Sequence, residues 1–418
     1  MNGNDNLYIP ENEVSILRHV FSQLGFGKSL AKITLPAWFL EHRSVLERFT
    51  DWTLHATILR KMNMEELPEN RMLHLCAWII SGCHMTPSLP KKPYSSMRGE
   101  CFRSTLFDHD TEKVIGSYVA EQVTQHPSVC AFHYFDREGN IVVWGNTEMR
   151  SKFLLHSVAA IMDNPNTKVN VELLSQNESY TLNFPDMYGR GVIAGPKVME
   201  IVGSVRVHCE KTGIGAKIVF HKKSLSHKYN SINGKIFRIV KINKKKAKKQ
   251  ILIRFQGHWD GKTTYMRVDD PDPYQEEKEM FDVSTAKSLQ LIIPPIEEQS
   301  QFESRFVWRK VTEYLERNDP KSANEHQSAI KEKQKKIIEC LEQSHQPWGY
   351  QLFDYNEEMK RFIPKELNLS LYQEDEEPVQ MHAGFNVPQL VLNLELSGVV
   401  KTNLQIQEDT ERSIHEDI

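Results

Sequence analysis

The chain has 418 residues, with 52 lysine and arginine against 55 aspartate and glutamate residues, a formal net charge of −3. So small a charge excludes a general electrostatic attraction to nucleic acid, and we predict no nucleic-acid partner. Apolar residues make up 39% of the chain and charged residues 26%, which allows a large folded core and excludes a collagen-like or low-complexity protein.

The N-terminal region is predicted to be helical. Residues 1–12 are polar, and we expect them to be loosely structured. A short amphipathic helix is predicted over 13–25, because its apolar residues recur at helical spacing: Ile16, Leu17, Val20, Phe21 and Leu24. Further helices are predicted within 44–82. One covers 44–60, and the other covers 71–82, which is apolar almost all round and ends at Gly82.

From residue 114 the apolar pattern changes from helical to alternating, as at Val169, Val171 and Leu173. The same alternation recurs in two later runs: Val205, Val207 and Cys209, then Ile251, Ile253 and Phe255. Turn signals separate the runs, at 136–139, 177–178, 213–215, 233–234 and 260–261. Many short antiparallel strands predict a sandwich or a barrel, and a long meander is better closed than left with open edges. We therefore predict a β-barrel over 114–295.

Helical spacing returns over 298–343, as one helix over 298–317 and another over 321–343. From 354 to 418 the pattern fades into a tail rich in acidic residues, for which we predict no fold. The fold class is thus predicted as mainly β with flanking helices at both ends.

Motifs of covalent catalysis are missing from the sequence: it contains no G-x-S-x-G, P-loop or H-E-x-x-H pattern, so we predict no enzyme, no cofactor and no metal. His74, Cys76, Cys83 and His84 could suggest zinc. However, His74 and Cys76 are two residues apart on a predicted helix and point to different faces, which favours buried thiols and a hydrogen-bonded histidine. Six scattered cysteines and an N-terminus without a secretory pattern predict a cytoplasmic protein.

Two charged segments each allow two interpretations. The lysine-rich run 241–249 is either a solvated hairpin tip or a patch that attracts an anionic membrane surface. The acidic segment 276–284 is either a loop within the domain or a peptide that recruits an endoplasmic reticulum tether protein.

Two other segments carry a family resemblance. Residues 121–128, EQVTQHPS, are similar to the EQVSHHPP fingerprint of the oxysterol-binding protein family, and residues 91–102, KKPYSSMRGECF, resemble its KKPYNPILGETF. Shorter matches follow in the same order, at 30–36, 39–44, 151–153, 257–260, 297–304 and 347–353. The resemblance therefore covers residues 13–353.

The resemblance implies a lipid-binding domain in which a near-complete antiparallel barrel encloses an apolar tunnel for one lipid. It implies that the helix 13–25 is a lid that closes this tunnel. The segment LPAWFLEHRS resembles the phosphatidylserine-carrying subgroup, which implies phosphatidylserine or another glycerophospholipid, with sterol as the remaining candidate. Besides the five apolar lid residues, the implied tunnel residues are Leu35, Trp38 and Phe39.

Members of this family commonly bind phosphatidylinositol 4-phosphate at the barrel mouth. The matching positions here are Lys92, Ser95, Gln125, His126, Gln327, Lys331 and Lys335. Gln125 replaces a histidine, Ser95 an asparagine and Lys331 an acid, so these side chains are either a weakened phosphate site or ordinary polar groups of the rim. We predict lipid transfer with weakened phosphoinositide counter-exchange, by a protein that is peripheral to membranes and contacts anionic surfaces transiently. A lipid-responsive adaptor is the alternative.

Overall fold

The computed structural model describes residues 39–86, 90–154, 157–192, 196–243, 246–268, 276–345 and 348–365. The predicted lid and the tunnel residues Leu35 and Trp38 lie outside this part of the chain, as does the tail from residue 366.

The helices within residues 39–86 are more numerous than predicted. After strand β1 (Leu40–Ser44), the Ser44 hydroxyl accepts the Glu47 N–H at 3.2 Å and begins helix α1. The helical segments are α1 (Val45–Arg48), a 3₁₀ helix (Phe49–His55), α2 (Thr57–Met64) and α3 (Pro68–His84). The single helix predicted over 44–60 is therefore wrong, because the chain changes helix type twice within it.

Gly82 does not end α3, which continues to His84. A Cβ atom built on Gly82 would lie 2.2 Å from Cδ1 of the Trp52 indole. Gly82 therefore leaves space for the Trp52 ring to pack against the helix. The prediction that Gly82 ends this helix is wrong.

One large antiparallel sheet forms the body of the protein. Its strands are β3 (Cys101–Asp108), β4 (Lys113–Thr124), β5 (Val129–Asp136), β6 (Ile141–Glu148), β9 (Lys168–Leu173), β10 (Glu178–Leu182), β12 (Val198–Cys209), β13 (Ile214–Phe220), β14 (Ser231–Asn243), β15 (Lys246–His258), β16 (Lys262–Arg267), β17 (Lys278–Asp282) and β18 (Gln290–Ile292). They pair in the order β17-β16-β15-β14-β13-β12-β10-β9-β6-β5-β4-β3-β18. Among the described residues β17 and β18 do not pair with each other, so the barrel is incomplete. The mainly β fold with flanking helices is confirmed, although its first long strand begins at Cys101 rather than at 114.

The alternating pattern places the core inside this sheet. Val169, Val171 and Leu173 are all fully buried, as their spacing predicts. Alternation fails in β15, where Ile253 lies opposite Ile236 but Ile251 lies opposite Phe237. The intervening Leu252 forms a bulge, so Leu252 and Ile253 are both buried.

The turn predicted at 233–234 is also wrong, because both residues lie inside β14. A Cβ on Gly234 would lie 2.0 Å from the ring of Phe255 on the paired strand. Gly234 therefore leaves space for the Phe255 ring to lie over the sheet. The turn signals at 136–139, 177–178, 213–215 and 260–261 do lie where strands reverse.

A smaller set of strands extends one end of the barrel. These are β7 (Arg150–Phe153), β8 (Ser157–Ile161) and β11 (Asp186–Arg190), in which β8 pairs with both others. β11 pairs with residues 198–202 of β12, whereas the rest of β12 pairs with β13. The described part of the lysine-rich run lies where β14 ends and β15 begins, at the opposite end of the barrel. Its place in a hairpin of paired strands is therefore confirmed, and its attraction to membranes stays a prediction.

The C-terminal elements pack against the family-signature segments. They are α4 (Ser304–Glu316), α5 (Pro320–Gln343) and a hairpin of β19 (Phe353–Asn356) and β20 (Arg361–Pro364). Tyr94 of β2 (Lys92–Tyr94) stacks on Trp308 of α4 with ring centroids 4.7 Å apart. The hairpin was not predicted. Its Phe362 N–H donates to the Asn146 side chain at 2.6 Å, which fixes it on the outside of β6.

Candidate functional site

A cavity of about 440 Å³ lies where the helices after β1 meet the smaller set of strands. Much of its lining is apolar: Phe39, Val45, Phe49, Trp52, Met149, Val158, Met162, Met187 and Met199. Trp52 is fixed from behind, because its ring lies 4.6 Å from that of Phe184, which also stacks on Phe49 at 6.0 Å. The flexible methionine side chains opposite can adapt to an irregular apolar ligand.

The polar part of the lining is cationic. Of the described residues that line the cavity, five are lysine or arginine and none is aspartate or glutamate: Arg48, Lys91, Lys92, Arg150 and Lys152. Arg48 is paired with Asp51 at 2.7 Å, and Arg150 is paired with Glu148. Lys92 instead donates to the neutral hydroxyl of Ser95 at 2.7 Å. The cavity therefore offers positive charge to a ligand.

The pKa of Lys92 is strongly perturbed. Burial, followed by the nearby positive charge of Lys331 on α5, lowers this pKa to about 8. Burial also lowers the pKa of Lys331. Two desolvated ammonium groups that repel each other favour an anion between them, because an anion relieves both the repulsion and the loss of hydration.

Gln125 and His126 reach the cavity from the turn between β4 and β5. Within the described structure the Oε1 atom of Gln125 is buried without a hydrogen-bond partner. The turn is held by Gln122, whose amide donates to the Thr124 carbonyl at 2.7 Å and to the Ser128 hydroxyl at 3.1 Å. A ligand hydroxyl or amine could satisfy the buried acceptor of Gln125.

The structure thus brings together five predicted site residues in the lining, namely Phe39, Lys92, Ser95, Gln125 and His126. Lys331 adjoins Lys92, but Gln327 and Lys335 are not in the lining. Lys335 is 65% exposed at its side chain and lies 3.7 Å from Glu339. Helix α5 approaches this region through Gln334, which donates to the Arg98 carbonyl at 3.2 Å.

Arg150 and Lys152 were missed by the sequence analysis. They flank Ser151 of the SKF match on β7. Alternate residues of a strand point to the same face, so this spacing could have identified both cations as neighbours of the site.

The acidic residues of the two signature segments support the structure around the cavity. Glu121 accepts the backbone N–H of Leu352 at 2.8 Å, and burial raises its pKa to about 7. Glu100 accepts from the Ser304 hydroxyl at 2.6 Å and from the Trp308 indole at 3.1 Å, and burial raises its pKa to about 7 as well. These carboxyl groups fasten the C-terminal elements to the barrel.

The acidic segment 276–284 and the histidines considered for zinc lie outside the cavity lining. The acidic segment is not a loop, since Lys278–Asp282 forms β17 and its Phe281 side chain is only 7% exposed. The aromatic group that a recruiting peptide would present is therefore packed in the core. His74 bonds Glu65 at 3.1 Å and His84 bonds His55 at 2.8 Å, so these two histidines have separate partners.

The comparisons agree with this geometry. A family model described as Oxysterol-binding protein matches residues 19–314. The chain belongs to the oxysterol-binding protein family. It is 30% identical over 348 residues to oxysterol-binding protein-related protein 5 of Mus musculus, covering 82% of this chain and 38% of that protein. It is also 30% identical over 375 residues to oxysterol-binding protein 4 of Dictyostelium discoideum, covering 88% and 77%. The chain thus spans about two fifths of the length of the first relative.

Two solved structures share the fold of this chain. The Osh1 ORD domain in complex with ergosterol matches with a TM-score of 0.67 at 18% identity, covering 87% of this chain and 88% of that domain. The Osh3 ORD in complex with PI(4)P from Saccharomyces cerevisiae matches with a TM-score of 0.58 at 18% identity, covering 84% and 90%. Among the described helices, none combines the length and apolar character needed to cross a bilayer.

Proposed function

We propose that this chain binds one membrane lipid in the cavity and carries it between the cytosolic faces of two membranes. The observation that supports this most directly is an apolar lining joined to a polar lining whose described residues include five cations and no carboxylate. A lipid has the same division into an apolar part and a polar headgroup. Enclosure matters because each CH₂ group exposed to water costs about 0.8 kcal/mol. Solved relatives hold a sterol and PI(4)P, which supports a lipid as the ligand.

The favoured cargo is phosphatidylserine or another glycerophospholipid. A sterol has no charge and would leave the buried Lys92 without an anionic partner, whereas a lipid phosphate would supply one. Mass spectrometry of lipids that co-purify with the full chain tests this assignment. We expect phospholipid, and a protein that carries sterol alone would contradict it.

The second ligand, phosphatidylinositol 4-phosphate, is proposed to bind weakly. Gln125 supplies a buried acceptor where the family has a histidine, and a phosphate has no hydrogen to donate when fully ionised. Lys92 and Lys331 supply positive charge, but as flexible point charges rather than a fixed fork. Gln125→His with Gln327→Lys should strengthen competition by this phosphoinositide against a fluorescent cavity lipid. Tight competition by the unmodified protein would contradict the proposal.

Transfer between liposomes separates this function from the adaptor alternative. A carrier should move fluorescent phosphatidylserine from donor to acceptor vesicles, and Lys92→Met should slow that transfer. Equilibrium binding with slow transfer would instead favour a lipid-responsive adaptor. We further propose that the protein acts peripherally at cytoplasmic membrane surfaces, including contact sites with the endoplasmic reticulum.

A further inference from the structure

The 221–230 loop, which joins β13 to β14, presents a leucine at its tip. Leu225 has a relative exposure of 111%, the largest among the exposed large hydrophobic residues of the described structure. The loop is nevertheless well ordered by its own bonds. The Ser224 N–H donates to the His227 carbonyl at 3.0 Å, and the His227 N–H donates to the Ser224 hydroxyl at 3.1 Å. A fixed bend therefore holds an apolar side chain in water, which costs free energy unless something covers it.

Cations surround this leucine. Lys222, Lys223 and Lys228 are all exposed, and residues 221–230 contain no aspartate or glutamate. The Lys223 ammonium lies 4.3 Å from the centroid of the Tyr229 ring. An apolar tip, flanking lysines and a tyrosine are the side chains that proteins place at a boundary between lipid and water, where long cations keep their charge in the aqueous layer.

The loop leaves the barrel at the end that holds the cavity. Its Lys223 N–H donates to Glu200 Oε1 at 3.0 Å, and Glu200 adjoins Met199 of the cavity lining. The other end of β14, at Asn243, lies about 40 Å away along the strand, at roughly 3.3 Å per residue. A membrane that contacted Leu225 would therefore meet the cavity end of the barrel and not the opposite end of β14.

We propose that the 221–230 loop docks this end of the barrel onto an anionic membrane, with Leu225 inserted among the lipid headgroups. A membrane fits better than a protein partner, because a stable protein interface needs about 800 Å² on each side and this tip offers one apolar side chain. Lysines near an anionic surface attract it even when the apolar contact is small. The inference rests on the proposed lipid function, since docking there would place the cavity at its lipid source.

Flotation of the full chain with vesicles tests the loop. The probes are phosphatidylcholine vesicles with and without 30% phosphatidylserine, a composition chosen at roughly the anionic content that gives a strongly negative surface. Leu225→Asp should weaken binding to the anionic vesicles about tenfold or more, and Lys222→Ala or Lys228→Ala about fivefold each. The matched control is Leu174→Asp, which changes a 49% exposed leucine in the turn after β9, at the other end of the barrel. That control should bind like the unmodified protein.

A soluble short-chain phosphatidylserine separates the two proposals, because loading it requires no membrane docking. Leu225→Asp should still load this lipid while losing vesicle binding. Unchanged flotation of Leu225→Asp, or equal binding of the unmodified protein to neutral and anionic vesicles, would overturn the docking proposal. If the unmodified protein binds vesicles but loads no short-chain lipid, the proposed cargo fails and the docking loop stands.

Discussion

Lys92 on β2 and Lys331 on α5 lie close enough for the charge of one to lower the pKa of the other. The chain thus places two like charges close to each other beside the cavity. Their repulsion is relieved only when an anion binds or when one lysine loses its proton.

This relationship predicts that binding of an anionic headgroup weakens as the pH rises. With a pKa of about 8, Lys92 is mostly charged at pH 7 and mostly neutral at pH 9. An anion prefers the charged form, so its affinity should fall about tenfold between these pH values. Binding of a fluorescent phosphatidylserine measured from pH 7 to 9 checks the expectation. Lys92→Met should flatten the profile. Lys336→Met, which changes an exposed lysine on the helix that carries Lys331, should not. An affinity that does not change with pH would contradict it.

The packing of Trp52 on Gly82 predicts a variant that alters the cavity from behind. In Gly82→Ala the added methyl group needs space held by the indole, which must shift toward the cavity it lines. We expect lipid loading to fall several-fold and the free energy of unfolding to fall by about 1–3 kcal/mol.

The matched control for that variant is Gly261→Ala, whose Cβ would meet its nearest atom at an ordinary 3.7 Å. Lipid loading and urea unfolding of both variants are to be compared with those of the unmodified chain. Normal lipid loading by Gly82→Ala would contradict this prediction. It would mean that the Trp52 ring moves away from the cavity and does not determine the cavity's shape.

The fold was largely predictable because several strands alternate buried and more exposed residues with a period of two, as in β9, where Val169 and Val171 are buried. The errors arose where a partner from elsewhere in the chain decides the local structure. The sequence pattern predicted a helix end at Gly82 and a turn at Gly234. In the structure each glycine instead leaves space for an aromatic ring, Trp52 at Gly82 and Phe255 at Gly234. At the site, Lys92 and Ser95 are three residues apart and were predicted together. Arg48 could not be placed there, because only the three-dimensional meeting of helix and strands brings it to the cavity.

The buried ion pair between Arg103 and Glu303 predicts a large effect on stability. Their side chains are each 3% exposed, with Nε and Oε2 2.8 Å apart, and Arg103 also donates to the Glu298 carbonyl at 2.8 Å. Arg103→Met leaves a carboxylate buried without this partner, so the free energy of unfolding should fall by about 3–5 kcal/mol. The double variant Arg103→Met with Glu303→Leu should recover part of that loss in urea denaturation. A double variant less stable than the single one would show that the pair does not act as a unit.

The buried carboxyl group of Glu121 predicts how stability depends on pH. Its pKa is raised by burial from 4.5 to about 7, so between these values the folded protein binds more protons than the unfolded chain. The free energy of unfolding must then fall as the pH rises through this window, and Glu100 adds a slope of the same sign. Glu121→Gln removes one of the two titrating groups but keeps an oxygen to accept the Leu352 N–H. Measured by urea unfolding from pH 5 to 8, this variant should therefore lose less stability than the unmodified protein as the pH rises. Glu342→Gln, an exposed position near the end of α5, should keep the full slope. Parallel profiles for Glu121→Gln and the unmodified protein would mean that Glu121 stays ionised throughout, held charged by its backbone donors.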